Sequence, residues 1–235
     1  MKQNQVDLDN DLARKSLFEV EQKRGYLMPH HGLLALTSPA LLEGYDACYK
    51  ELTLVKRYLP EKDKEFIWLG ILAVKEEFLA KQHVTKFLEA GGPPSHIALA
   101  VRMAAYAQGT SAFSFAETHW TSYVSGFSAK TEYLEGLSNL IGREPIKKSI
   151  LHIAMAAIHT SIHNHLALRW HIFEAYKLSV NETALAEALS YSMFTGSIPN
   201  FIEGCGIWRE MINKGEVNAT EPFQEWAALD QSGPL

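Results

Sequence analysis

Every long apolar stretch of this chain recurs at helical spacing, and none alternates apolar with polar residues far enough to make a strand. Glycine and proline punctuate these stretches, so the expected product is a set of helices joined by short breaks. A first helix is expected over Leu8 to Lys23, with a break at Gly25 and Pro29. Ser38 and Pro39 suit the cap and first turn of the next, whose apolar residues run Leu41, Leu42, Tyr45, Cys48, Tyr49 and Leu52 before Pro60. Glu61 to Glu89 reads as one helical stretch, stopped by Gly91-Gly92-Pro93-Pro94. Ser95 can cap a helix over Ile97 to Ala107. Ala116 to Lys147 reads as a linking helix with loops, and Pro145 opens a helical region that reaches Leu178. Asn181 and Glu182 begin a helix over Ala184 to Thr195, Phe201 to Lys214 makes the last, and Glu216 to Leu235 reads as a tail. The expected fold class is all-α.

A length of 235 residues fits one ordinary domain, or two small similar halves packed as one. With 47% apolar and 21% charged residues, neither disorder nor a coiled coil describes the chain. A net charge of -5 leaves no basic footprint for nucleic acid or an anionic membrane. Cys48 and Cys205 lie far apart and form no CxxC, which excludes a thioredoxin-like motif and a cysteine zinc ribbon. The N-terminal residues are polar and mixed in charge, unlike a signal peptide. The longest apolar run, Phe66 to Val74, is far short of the roughly 18 residues of a membrane span. A cytoplasmic location is expected.

A shift of 88 residues brings His83-Val-Thr-Lys-Phe-Leu-Glu-Ala-Gly91 onto His171-Ile-Phe-Glu-Ala-Tyr-Lys-Leu-Ser179. In both segments a histidine opens the last two turns of a helix. A break follows, then an apolar helix, then a small-residue turn: Gly109-Thr-Ser-Ala112 or Gly196-Ser-Ile-Pro199. Such a repeat implies two similar helical hairpins about a pseudo-twofold axis.

The first copy, with H-V-x-K-F-L-E-A-G-G and then A-A-Y-A-Q-G-T-S-A, is similar to the core of the carboxymuconolactone decarboxylase and alkylhydroperoxidase D superfamily. The second copy, L-R-W-H-I-F-E-A-Y-K-L-S with a later G-S-I-P turn, resembles the decarboxylase branch. The resemblance implies an alkylhydroperoxidase D-like helical bundle built from two similar halves. It divides the chain into an N-terminal extension (1–34), a first repeat (35–115), a linker (116–145), a second repeat (146–214) and a tail (215–235). It also implies assembly into a trimer or hexamer-like ring. The peroxidase branch carries a CxxC four residues before its histidine. Those positions hold Glu76 and Leu79 before His83, and Asn164 and Ala167 before His171. Thiol peroxidase chemistry is therefore not carried over.

Five of the ten histidines fall in one stretch: His152, His159, His163, His165 and His171. On one continuous helix His159 and His163, at i and i+4, have chelating spacing. His152 and His163 would lie about 16 Å apart along the axis, too far to share an ion. A metal on His159 and His163 would need further ligands, such as Glu76, Glu77 or His83, and zinc, iron or manganese would suit that set. The bland alternative is a polar seam of hydrogen-bonded histidines between helices. His171 and His83 match the family's helix histidine, so the resemblance implies proton transfer there by a group titrating near neutrality. Glu174, one turn after His171, could orient it. Glu76 and Glu77 form a carboxylate pair in an otherwise apolar stretch, and burial would raise such a group into the range of a general acid or base. His30 and His31 read as surface-loop residues.

These readings converge on a carboxymuconolactone decarboxylase-like enzyme doing acid–base chemistry, such as decarboxylase, lyase or isomerase steps, on a small organic acid or lactone. Its expected catalytic residues are His171, His83, Glu76 and His163, and it needs no cofactor. Two alternatives stand beside it. One is a divalent-metal lyase or oxygen-using enzyme on the same fold. The other is a non-catalytic ligand-binding or oligomeric scaffold. The expected partners are a small-molecule substrate and further copies of the chain, with no nucleic acid and no membrane.

Overall fold

The computed structural model describes residues 14–22, 25, 27–142 and 144–229, and all regular structure among them is helical. Residues 8–13 and 23 of the expected first helix lie outside the described residues. The chain divides into two compact units, Met1–Val55 and Lys56–Leu235. That division falls inside the stretch expected to be the first repeat.

The first unit holds α1 (14–22), α2 (Pro29–Thr37) and α3 (Pro39–Tyr49), followed by a wider π-type turn over Lys50–Leu54. Pro29 and Pro39 sit in first turns, where a missing N–H costs nothing. Ser38 precedes α3, but its side chain makes no capping hydrogen bond. His30 and His31 are helical, not in a loop, and His31 is buried.

The second unit runs α4 (Glu61–Lys75), α5 (Gln82–Glu89), α6 (Pro94–Gln108), α7 (Thr110–His119) and α8 (Ala129–Ile141). It continues with α9 (Lys148–Ser161), α10 (His165–Lys177), α11 (Glu182–Ser190), α12 (Ser192–Thr195), α13 (Ile198–Asn213) and α14 (Glu221–Ala228). The core lies along α4 and α9, which pack on each other; α4 also packs on α6, and α9 on α10. Both central helices are buried nearly all round, with Phe66 to Leu72 on α4 and Ile153 to Ser161 on α9. They cross closely at Gly70, where an added Cβ would come within 2.7 Å of Ile158 Cδ1. Gly196 plays the same part in the small-residue turn, since a Cβ there would meet Ser161 Cα at 2.8 Å.

The helix ends depart most from the sequence expectation. Glu61 to Glu89 is two helices, because α4 closes in a Schellman motif. Glu77 N–H donates to Leu72 O at 3.0 Å and Glu76 N–H to Ala73 O at 3.3 Å, with Glu76 left-handed at φ 55°. The long helix expected through His159 and His163 closes in the same way. Asn164 N–H donates to His159 O at 2.9 Å and His163 N–H to Thr160 O at 3.2 Å, with His163 at φ 59°. Asn164 then caps α10, its Oδ1 accepting from Ala167 N–H at 3.1 Å. The linker contains a full helix, α8, capped by Ser128, and the tail contains α14. Ser95 caps nothing, since α6 starts at Pro94. Among the described residues no helix is long and apolar enough to cross a membrane.

Candidate functional site

His152 and His159 are seven residues apart on α9, two turns along one face. Antiparallel packing of α10 brings His171 against that face, and α8 adds Tyr133. The four side chains form one hydrogen-bonded chain. His152 Nδ1 lies 2.9 Å from His171 Nδ1, His171 Nε2 lies 3.2 Å from the Tyr133 hydroxyl, and that hydroxyl lies 2.7 Å from His159 Nε2. The His159 and His171 rings stack at 5.4 Å between centroids and 13° between planes. Tyr133, His159 and His171 are 0% exposed, whereas His152 is half-buried and forms the outer end.

His159 Nδ1 is buried without a hydrogen-bond partner. An orphaned N–H is costlier than an orphaned lone pair, which sets the sense of the chain. His159 Nε2–H donates to Tyr133, the Tyr133 hydroxyl donates to His171 Nε2, and His171 Nδ1–H donates to His152 Nδ1. Each imidazole is then neutral. Desolvation by burial holds them so, pushing His159 down to about 3 and His152 down to about 4. Burial likewise holds His171 well below the ordinary histidine value, reinforced by its two histidine neighbours. Burial also raises the Tyr133 hydroxyl, which keeps its proton. The expectation of a histidine titrating near neutrality is not met at His171. It is a neutral ring with one nitrogen facing His152 and the other facing the Tyr133 hydroxyl.

The second histidine is surrounded by charge. His83 on α5 is 1% exposed, and its Nδ1 donates to Glu65 Oε2 at 2.6 Å. Glu65 and the adjacent Lys64 are buried on α4, with Lys64 Nζ 3.6 Å from Glu65 Oε1 and 2.8 Å from Glu61 Oε1. Trp68, one turn on from Glu65, stacks on His83 at 4.8 Å and on Tyr191 at 5.0 Å. Tyr191 donates to Glu187, whose other oxygen accepts from the backbone N–H of Tyr58 at 2.7 Å and Leu59 at 2.9 Å.

Glu76 does not join this site. It is the exposed residue that closes α4, and Phe78 beside it is 79% exposed, so no interior carboxylate exists there. His163 does not join the His171 chain either. The Schellman turn points it to the surface, where its Nδ1 lies 3.3 Å from Glu203 Oε2. His159 and His163 therefore do not share a helix face, and the chelating pair expected of them is not formed. Glu174 pairs with Lys177 at 2.8 Å and Lys130 at 3.5 Å and so does not orient His171. Burial pushes its carboxyl up, but these two lysines hold it below its ordinary value. Cys205 is a half-buried thiol pushed up to about 11 by desolvation, the opposite of an activated nucleophile.

Sequence reasoning missed Glu65, Lys64 and Tyr133. The first two had a readable signal, since a Lys-Glu pair opens the most apolar run of the chain. Tyr133 had none, because it lies in a stretch read as linker. Comparison with family models, with curated proteins and with solved structures finds no match.

Proposed function

We propose that this chain is a carboxymuconolactone decarboxylase-like enzyme that moves protons on a small organic acid or lactone, in a decarboxylase, lyase or isomerase step. The observation that carries this reading is the hydrogen-bonded chain from half-buried His152 through His171 and Tyr133 to His159. Loss of carbon dioxide leaves a carbanion or enolate that must be protonated, and isomerisation needs a proton removed and replaced. Half-buried His152, at the outer end, exchanges that proton with the substrate and recovers it from solvent, while the neutral chain behind it fixes which of its nitrogens carries a proton. His152 is the member that meets a substrate, and His171 is the ring directly behind it.

The two-half reading draws support from a parallel in placement. His83 and His171 each lie on the helix after a central helix, and each reaches back to it, to Glu65 in one case and His152 in the other. Glu76 and His163 close those two central helices alike. The reading needs no cofactor and takes His171 and His83 as its proton carriers. Assembly into a homo-oligomeric ring and a cytoplasmic setting belong to the same proposal.

The test is a screen of carboxylated lactones and small unsaturated acids, following carbon dioxide release and substrate absorbance. With a turned-over substrate in hand, His171→Gln is expected to lower kcat by about 10²–10⁴-fold. Full turnover by folded His171→Gln would sink the proposal.

A further inference from the structure

A second histidine group lies apart from the buried chain. His163 sits in the turn between α9 and α10, His165 opens α10, and Glu203 lies on α13. Glu203 Oε2 is 3.3 Å from His163 Nδ1 and 3.1 Å from His165 Nε2, and the three ligand atoms all lie within 4.8 Å of one another. A tetrahedral zinc ion with bonds near 2.0–2.2 Å sets its ligand atoms about 3.3 Å apart. The two separations to Glu203 match that spacing, and the two imidazole nitrogens lie within 4.8 Å of each other.

The backbone holds this convergence in place. His163 is left-handed, a conformation that costs a residue with a side chain, and its Schellman bonds fix it there. The Asn164 cap fixes His165 in the first turn of α10. Asn200 Nδ2 donates to Ser161 O at 3.0 Å, tying α13 to the end of α9, and Glu203 lies one turn further along α13. All three side chains are partly exposed, at 54%, 36% and 46%, which leaves an ion a way in and a fourth position for water.

We propose that His163, His165 and Glu203 form a site for a borderline divalent transition-metal ion, zinc foremost, that ties the α9–α10 turn to α13. Two imidazoles and one carboxylate suit zinc and cobalt, whereas calcium and magnesium call for oxygen sets. The site is separate from the His171 chain and does not depend on the acid–base reading. It replaces the metal pair expected of His159 and His163 with one that shares only His163.

The experiment is zinc titration of the full chain, prepared without a metal-binding tag, by isothermal calorimetry at neutral pH. One zinc per chain is expected. Glu203→Gln should weaken it at least tenfold, and the double variant H163N/H165Q should abolish it; asparagine tolerates the left-handed backbone. Cobalt(II) absorption gives a second readout, with a visible band in the native protein and none in the double variant. Circular dichroism checks that the variants stay helical. Equal zinc binding by the folded double variant, or no binding by the native chain at millimolar zinc, overturns the proposal.

Discussion

His171 and His83 each lie on the helix that follows one of the two central helices and are almost equally buried, yet their surroundings are opposite. Around His171 the partners are two more imidazoles and a phenol, all uncharged. Around His83 they are a carboxylate and, behind it, a lysine. Both arrangements solve the same problem, which is how to keep a polar ring in an apolar core. A neutral chain avoids charge desolvation but must place every proton; an ion cluster accepts the desolvation and offsets it with Coulomb attraction. The difference teaches that one core can hold a buried histidine either in a neutral hydrogen-bonded chain or against a buried ion pair.

Acid should separate the two sites most. His152, His159 and His171 are all pushed down by burial, so the unfolded state takes up protons first as pH falls. Stability is greatest above about pH 6.5 and is lost as pH falls toward the folded values of about 4 for His152 and about 3 for His159. Each proton contributes about 1.4 kcal/mol per pH unit, so the three together give a slope of up to about 4. Urea unfolding from pH 7 to 4.5 measures it, and His159→Gln should flatten the slope by about one third.

Breaking the charged site comes next. Glu65→Ala leaves Lys64 and His83 in the core without their shared carboxylate and should cost about 3–5 kcal/mol by denaturant midpoint. Glu65→Gln, which keeps an acceptor for His83, should cost less. On the neutral side, Tyr133→Phe strands one nitrogen each of His171 and His159 and should cost about 1–3 kcal/mol. A loss for Tyr133→Phe as large as that for Glu65→Ala would mean the His171 chain carries charge after all. The smallest effect should come from Glu76→Gly. It removes a side chain from a left-handed, exposed position, so stability should rise by about 1 kcal/mol with no change at either histidine.

The all-α class was legible because helical periodicity is long-range and survives local errors. Helix ends were legible where glycine marks them. Gly91 takes the left-handed position after α5, and its bonds to α5 follow the Schellman pattern. They were illegible where Glu76 and His163 take that position, because these residues carry no such mark. That one blind spot produced both site errors: it ran α4 on through Glu76 and α9 on through His163. His171 and His83 were legible as positions, but their partners were not. Glu65 and His152 lie 18 and 19 residues before them, a separation that only the folded hairpins turn into contact. Tyr133 comes from a helix with no sequence signal of function.

The most direct measurement is nitrogen-15 NMR of the imidazole side chains from pH 7.5 down to 5. The shifts report which nitrogen carries the proton and whether the ring is charged. The expected result is that His159 and His171 keep fixed neutral tautomers throughout, with His159 protonated on Nε2 and His171 on Nδ1. Titration of either ring near pH 6.5 would contradict the neutral chain on which the functional reading rests.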